Sequence, residues 1–364
     1  METSFFHLSG DGLPADILVV GYQAREGVSV PFQVEVDFST EDEAFVVDAC
    51  LRKPLLLTVV DAAGNQRVFH GVVDEAAFVQ ALEPKLYFRL RLRPALAALA
   101  HRAGCRIYQN KSVQEIAQSV FAAAGFGDQV EWDLTGTYEP REYVVQYRES
   151  ELDFVSRLFE DQGIYYFFKH TPEGHSMVVA DHGGAFVLEE GAPPVQFFLT
   201  RGAFVGGQPL HDVARTRSLR TSSVLLRDYD FEKPDFAPSA DVPAEDKWPM
   251  AHYEYPGGFT KADTGKQMAA ARARQLRHDA DLVRGSSRAI GLRIGVPFEI
   301  HGAAEPALDG ELVVVALETR GAQRGGAGGA PADNVACDNR FTAITTAAPW
   351  APPRRTPRPR IRGV

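Results

Sequence analysis

YVVQYRESELDFVSRLFEDQGIYYFFKH, residues 143–170, divides by its own punctuation into a strand, a capped helix and a second strand. Tyr143, Val145 and Tyr147 alternate with Val144 and Gln146, a period of two that suits a strand partly covered on both faces. Ser150 then opens a helix. With Asp153 three residues on, it approximates a capping box, although the usual third-position residue is Glu or Gln. Leu152, Val155, Leu158 and Phe159 fall at helical spacing, and Phe154 widens the stripe. Gly163 supplies the left-handed residue that commonly stops a helix. Ile164 to Phe168 is then a dense aromatic strand. Tyr165, Tyr166, Phe167 and Phe168 are too many aromatics for one face, so one side is expected in a core and the other against a subunit or domain.

Upstream, the first hundred residues read as a small β-barrel. Ile17–Tyr22, Pro31–Phe38, Pro54–Val60, Arg67–Val73 and Leu86–Leu92 are β-rich and separated by turn signals. Leu86, Phe88, Leu90 and Leu92 alternate with Tyr87, Arg89, Arg91 and Arg93, the pattern of a sheet edge or barrel wall, and Pro94 ends it. From Gly104 the texture changes. Ser112 with Glu115 is a full capping box for a helix over 112–124, and Gly125 stops it.

Downstream, 213–231 returns to β structure, Asp263–Asp281 reads as a helix with few large apolar residues and therefore a weak hold, and Ile290–Ile300 and Glu311–Thr319 read as strands. The fold class is α+β, mainly β: two β regions, 1–103 and 213–350, with an inserted α/β section at 104–212 and a helical insertion near 260–281. Residues 351–364 form a Pro/Arg connector. Loops 183–208, 235–250 and 321–332 are candidates for partner surfaces by composition and length.

The chain has 364 residues and a formal net charge of −10, with five arginines in its last eleven residues. The remaining residues carry 33 basic against 48 acidic side chains, which argues against a general polyanion binder. The tail's prolines favour an extended linker over a nucleic-acid arm. Cys50, Cys105 and Cys337 form no CxxC pair, which fits a reducing compartment and offers no zinc site. The N-terminus shows no secretory signal, and no apolar run approaches the length of about 20 residues that spans a bilayer.

Catalytic motifs are absent or weak. There is no Gly-x-Ser-x-Gly elbow, no His-Glu-x-x-His helix and no phosphate loop, and the Gly202–Gly207 stretch lacks dinucleotide-binding spacing. Glu41-Asp42-Glu43 and Glu189-Glu190 read as solvated loops. Asp181-His182 with His170 and His175 is the best arrangement for a metal, but a third and fourth ligand are unidentified, so neither metal nor cofactor is assigned.

Several separated motifs carry a family resemblance. Gln146-Tyr147-Arg148-Glu149-Ser150, Phe154, Arg157-Leu158 and Gly163-Ile164 are joined by Arg67-x-Phe69-His70-Gly71, and by Arg106-Ile107-Tyr108-Gln109-Asn110 with Tyr in place of the more frequent Phe. Asp228-Tyr229-Asp230-Phe231, Tyr253-x-Tyr255-Pro256-Gly257 and Asn339-x-Phe341 follow. Together they resemble the VgrG family, the tip proteins of type VI secretion systems, and their relatives in contractile phage tails. The resemblance covers nearly the whole chain.

It implies a phage tail hub-like fold, in which 1–103 and 213–350 are two barrel-like β domains, and the structural base of a trimeric puncturing spike, joining a hexameric tail tube to a threefold needle and helping deliver effectors. Its implied partners are two further copies of the chain, an Hcp-like tube protein, baseplate components, needle and tip-cap proteins, and secreted effectors or adaptors. Assembly would occur in the bacterial cytoplasm, with export through the contractile machine rather than by a signal peptide. Shape and stiffness, not a reactive side chain, do the work, so no enzyme activity is expected. The hub of a phage tail or extracellular particle, and a hydrolytic effector delivered by such a machine, remain the alternatives. In the family a connector like 351–364 leads into an oligonucleotide-binding-type domain and the needle. Gln146, Glu149 and Arg157 are expected to form a satisfied polar network under the 150–162 helix.

Overall fold

Period-two alternation builds the first wall. β1 (Phe6–Gly10), β2 (Leu18–Gly27), β3 (Val30–Thr40), β4 (Pro54–Val60), β5 (Gln66–Leu82) and β6 (Lys85–Arg93) follow one another along the chain. On β3, Phe32, Val34, Val36 and Phe38 turn inward and are almost wholly buried, while the polar residues between them face out. β6 buries Phe88, Leu90 and Leu92 and pairs Arg89 and Arg91 on its outer face with Asp37 and Asp74. It lies between β5 and β3, so it is an interior strand of the wall rather than an edge. β1 and the extension of β5 to Leu82, which makes a long hairpin with β6, go beyond the strands expected from sequence.

The computed structural model describes residues 5–188, 195–198, 210–234, 238–243, 250–303, 305–323, 335–346 and 350–360. Glu189-Glu190 and Gly202–Gly207 lie outside them, as do large parts of loops 183–208, 235–250 and 321–332 and the end of the tail, 361–364.

After the first wall come β7 (Ala103–Lys111), α1 (Val113–Ala124), β8 (Val130–Asp133), β9 (Arg141–Ser150), α2 (Glu151–Gln162), β10 (Tyr165–His170) and β11 (His175–Ala180). β7 and β9 form a two-stranded ribbon, and β10, β11 and β8 a three-stranded sheet. Ser112 and Glu115 make both reciprocal bonds of a capping box at α1. At α2 only half forms: Ser150 Oγ accepts from the Asp153 amide at 3.0 Å, and the Asp153 carboxylate takes the Ser150 hydroxyl at 2.8 Å. Asp, one methylene shorter than Glu, bonds the hydroxyl and not the Ser150 amide. Gly125 and Gly163 end the two helices at φ 83° and 73°.

The aromatic strand β10 is buried on both faces within this one chain. Tyr166 and Phe168 belong to the core under the first wall, with Phe32, Val155 and Phe159. Tyr165 and Phe167 belong to a second core, with Val178, Phe186 and Phe298. Its aromatic content is therefore accounted for by contact between two cores, without a second subunit.

The remaining elements are β12 (Val195–Phe198), β13 (Leu210–Arg217), β14 (Ser223–Arg227), β15 (Ser239–Val242), β16 (Ala251–Glu254), α3 (Ala262–Leu276), β17 (Asp281–Ser287), β18 (Pro297–His301), β19 (Gly310–Ala322) and β20 (Val335–Thr345). β19 pairs with β2, so the two β regions join edge to edge in the order β1-β4-β5-β6-β3-β2-β19-β20-β17-β13, with β18 and β12 continuing from β19. β14 lies between β15 and β16 in a small sheet whose core includes Val224, Leu226, Phe259 and Met268.

Three expectations change here. The helix ends at Leu276 rather than 281, and Asp281 begins β17. Over 290–300 the strand starts only at Pro297; Ile290, Leu292 and Ile294 are buried by packing and not by strand pairing. The third concerns α3, whose small residues are what hold it: Ala269, Ala271 and Ala273 are buried, and Gly265 lies against the Phe259 ring.

Gly163 combines a left-handed backbone with a close approach by α3, since a Cβ there would come 2.6 Å from the Ala271 Cβ. Gly163→Ala is expected to lower unfolding free energy by about 2–4 kcal/mol through backbone strain and overpacking. Urea unfolding of the two proteins checks this.

Candidate functional site

α2 is the element on which the other parts meet, and its N-terminal half is fixed by a buried ion pair. Arg148 adopts a left-handed φ of 51°, and the next residue, Glu149, turns its carboxylate back under the helix. Arg157, two turns along α2, donates Nε to Glu149 Oε2 at 2.8 Å and Nη2 to Oε1 at 2.6 Å, and Nη2 also reaches the Val145 carbonyl at 2.7 Å. Both side chains of the pair are largely buried. Gln146 is fully buried and donates Nε2 to the Glu149 carbonyl at 3.1 Å, and the Tyr147 amide donates to Glu149 Oε1 at 3.3 Å. Gln146 Oε1 is buried without a partner, so the network expected from sequence forms without being fully satisfied. The fork-on-carboxylate geometry fixes where α2 leaves β9. Ser150 caps the helix, Phe154 and Leu158 pack beneath it, and Phe154 stacks on Tyr108 with centroids 5.5 Å apart.

At the other end of α2, Glu160 and Asp161 lie where the helix dipole is negative and acids are disfavoured. The connector compensates them. Glu160 Oε1 accepts from the Arg355 amide at 3.1 Å, the Thr356 amide at 3.2 Å and the Thr356 hydroxyl at 2.9 Å. Asp161 accepts from Arg358 at 2.6 Å, with Arg354 at 3.9 Å. Arg354 continues to Glu254 on β16 at 3.3 Å, and Glu254 is shared with His252 and Arg272. α3 closes the same corner: Gln275 donates to the Glu160 carbonyl. Trp350 Nε1 bonds the His278 carbonyl at 2.9 Å. The segment expected as an extended Pro/Arg linker, 351–364, is therefore held to the body through Arg354, Arg355, Thr356 and Arg358, with Trp350 anchored just before it. Glu160 and Asp161 were not among the residues picked out from sequence, although two acids at a helix C-terminus facing an Arg-rich tail are a readable signal.

A second cluster joins the first wall to β10 and β11. Phe69 is fully buried, and a Cβ on Gly71 would meet Phe32, Leu92 and the Arg93 carbonyl at 3.1–3.2 Å. His70 Nδ1 lies 3.1 Å from His175 Nδ1, and the His70 backbone meets His170 Nδ1 at 3.2 Å. His175 Nε2 accepts the Ala95 amide at 3.2 Å. A neutral His175 thus carries its proton on Nδ1 and donates to His70 Nδ1, which leaves the His70 proton on Nε2. Burial, then the neighbouring His175 and Arg67, hold the His170 pKa down to about 3; burial, then His70, hold His175 to about 4. Glu26, 3.8 Å from His170, is committed to buried Arg67 and does not reverse this. Asp181 and His182 lie elsewhere: Asp181 accepts from Thr135, Gly136 and Tyr138, and His182 faces Asp133 at 3.2 Å. The metal grouping considered from sequence is not brought together, and among the described residues no cluster of three ligand side chains fits a metal ion.

The remaining motif residues fall in two places. Gln109 and Asn110 are exposed on the β7–β9 ribbon. Asp228 Oδ2 accepts the Gly258 amide and the Phe259 amide, and the Gly257 amide bonds the Arg227 carbonyl at 2.8 Å. Gly257, after the cis Tyr255-Pro256 bond, faces the Phe259 ring so closely that a Cβ would meet it at 2.5 Å. Tyr229 and Tyr255 are exposed at this corner. The motif as a whole anchors Phe259 under α3.

The histidine cluster sets an acid limit. Both depressed values mean that the unfolded chain takes up protons below about pH 6.5 while the folded chain does not, so stability falls as pH drops from 6.5 to 4. Each histidine adds up to about 1.4 kcal/mol per pH unit to that slope. A His170→Gln, His175→Gln protein should show a shallower loss across this window, measured by urea midpoints; an unchanged slope would contradict the assignment.

The chain matches the phage tail baseplate hub (GPD) family over residues 25–325. It is 32% identical over 349 residues to the type VI secretion system spike protein VgrG1b of Pseudomonas aeruginosa, covering 94% of this chain and 46% of that protein. To VgrG1a of the same organism it is 31% identical over 360 residues, 96% of this chain and 55% of the relative. The chain thus spans about half the length of the curated relatives it matches. Among solved structures it is similar to the E. coli c3393 protein, a type VI secretion component described as structurally similar to the phage T4 tail proteins gp27 and gp5, with a TM-score of 0.73 at 20% identity over 98% of this chain and 82% of that one. The 43 kDa tail protein of prophage MuSo2 from Shewanella oneidensis follows at 0.62 and 13% identity, over 94% and 98% of the two chains.

Proposed function

The chain belongs to the phage tail baseplate hub family, in its VgrG spike-protein branch, and on that premise we propose that it forms the base of a trimeric puncturing spike. The observation that carries this reading is the pinned connector. Arg354, Thr356 and Arg358 tie the segment that would lead toward a needle to the C-terminal end of α2, and α2 is tied through Glu149–Arg157 to β9. A thrust entering at the connector would pass into packed secondary structure and not into a flexible joint.

The wall also has a direction. β3 begins at Val30 and Pro31, beside Pro352 and Pro353, and ends at Thr40, paired with Leu86 near the β5–β6 turn. Eleven strand residues span roughly 33 Å. The hairpin end opposite the connector exposes Phe78, Val79 and Leu82. We assign the connector end to the needle and the hairpin end to a hexameric tube ring. The division into hub domains at 1–103 and 213–350 around an α/β section belongs to the same proposal, as do trimerisation, contacts with baseplate and tip-cap proteins, carriage of effectors, assembly in the cytoplasm and export with the machine. The role needs no catalytic group, in line with relatives that are spike and hub proteins. No helix among the described residues is long and apolar enough to cross a membrane.

Val79→Asp and Leu82→Asp, placed on exposed positions, should leave the unfolding midpoint unchanged and weaken association with a purified tube ring at least tenfold, by light scattering of mixtures. Equal association would overturn the assignment of the hairpin end. In a concentration series of the chain alone, mass should shift toward the trimer.

A further inference from the structure

We propose that the groove between the start of β3, the outer faces of β17 and β19 and the first connector residues binds an extended acidic peptide segment of another polypeptide. The groove encloses about 530 Å³. Val30, Trp350 and Pro353 leave apolar surface along it, over Val28, Leu282 and Val315, which are buried beneath. Arg93, Arg284 and Arg355 line it, and among the described residues none of their guanidinium groups has a carboxylate within ion-pair range. The Nε of Arg93 is buried without a hydrogen-bond partner.

The acids at the groove are already committed. Glu26 pairs with buried Arg67 and Asp279 with Arg220. Arg25 at the rim is matched by Glu318. Three positive charges are therefore left uncompensated in one groove of a chain whose net charge is −10.

Guanidinium forks match carboxylates in a planar, two-bond geometry, and the partners that fit three of them carry several carboxylates in sequence. A single small anion would leave Val30, Trp350 and Pro353 uncovered, whereas an extended peptide covers them with side chains between the acidic ones. The acidity of the rest of the chain disfavours nucleic acid as the occupant. Charge complementarity thus selects a polypeptide with a run of Asp or Glu.

The test is fluorescence anisotropy of fluorescein-labelled hexaglutamate against the full chain at low ionic strength, with hexaserine as the uncharged probe. Hexaglutamate should bind and hexaserine should not. Arg284→Glu and Arg355→Glu, both at exposed positions, should each weaken binding at least tenfold, while Lys53→Glu, exposed and outside the groove, should leave it within twofold. Unfolding midpoints of the variants confirm that the fold is kept. Equal binding of hexaserine, or no loss in Arg284→Glu, would overturn the proposal. Complete displacement by inorganic phosphate at the concentration of the peptide would make the groove a simple anion site. Self-association abolished by Arg284→Glu, with no hexaglutamate binding, would make it a contact between copies of this chain. Either result contradicts an acidic peptide of another polypeptide.

Discussion

Two cores meet on one strand, and the rest of the molecule depends on that contact. Tyr166 and Phe168 fill the core beneath the first wall while Tyr165 and Phe167, one residue out of phase, fill the second. Burying such a side chain contributes about 1.5–3 kcal/mol, and truncating one in place costs more because a cavity remains. A shift of one residue in β10 would exchange the two sets and force side chains packed for one core into the other. Register here is consequently fixed from both sides, and the position of α2, which turns into β10 through Gly163, is fixed with it. The pairing of β2 with β19 joins the same two regions at a second place.

α2 converts this internal rigidity into a platform for the connector. Its start is locked by Glu149 and Arg157, and its end presents two acids in a place where a helix by itself would disfavour them. Such charges are stabilised only if cations and donors are brought to them, and the connector brings Thr356, Arg354 and Arg358. Removing one partner of a largely buried pair is costly, about 3–5 kcal/mol, while surface pairs contribute far less. The specificity of the connector's path therefore rests on Asp161 and Glu160 more than on exposed Arg358.

Much of this was legible in the residues. Alternation in β3 and β6, the Ser112–Glu115 cap, and the Gly125 and Gly163 stops are local signals that tertiary structure had no reason to override. The motifs around Gln146–Gly163 and Asp228–Gly257 were visible as motifs, but their work is three-dimensional: Asp228 reaches Gly258 and Phe259 thirty residues on, and Gly257 yields room to the Phe259 ring. β1 was missed because five residues with two buried side chains carry too little period to read. The hold on α3 was misjudged for a different reason. Large apolar residues were sought, whereas Ala271 packs on Gly163 because Gly163 has no side chain and Ala271 only a methyl group. The tail looked like a linker because its prolines and arginines have no local partner; the partners, Glu160, Asp161 and Glu254, are 100 or more residues away.

The central claim, that the connector is locked to the end of α2, is tested most directly by amide hydrogen exchange at Arg355 and Thr356, whose N–H groups bond Glu160. The account predicts exchange at least a hundredfold slower than in an unstructured peptide, reverting toward the unstructured rate in Glu160→Ala while amides of β3 and β10 stay protected. Exchange at the unstructured rate in the unmodified chain would mean that the connector is free, and the platform on α2 would not exist.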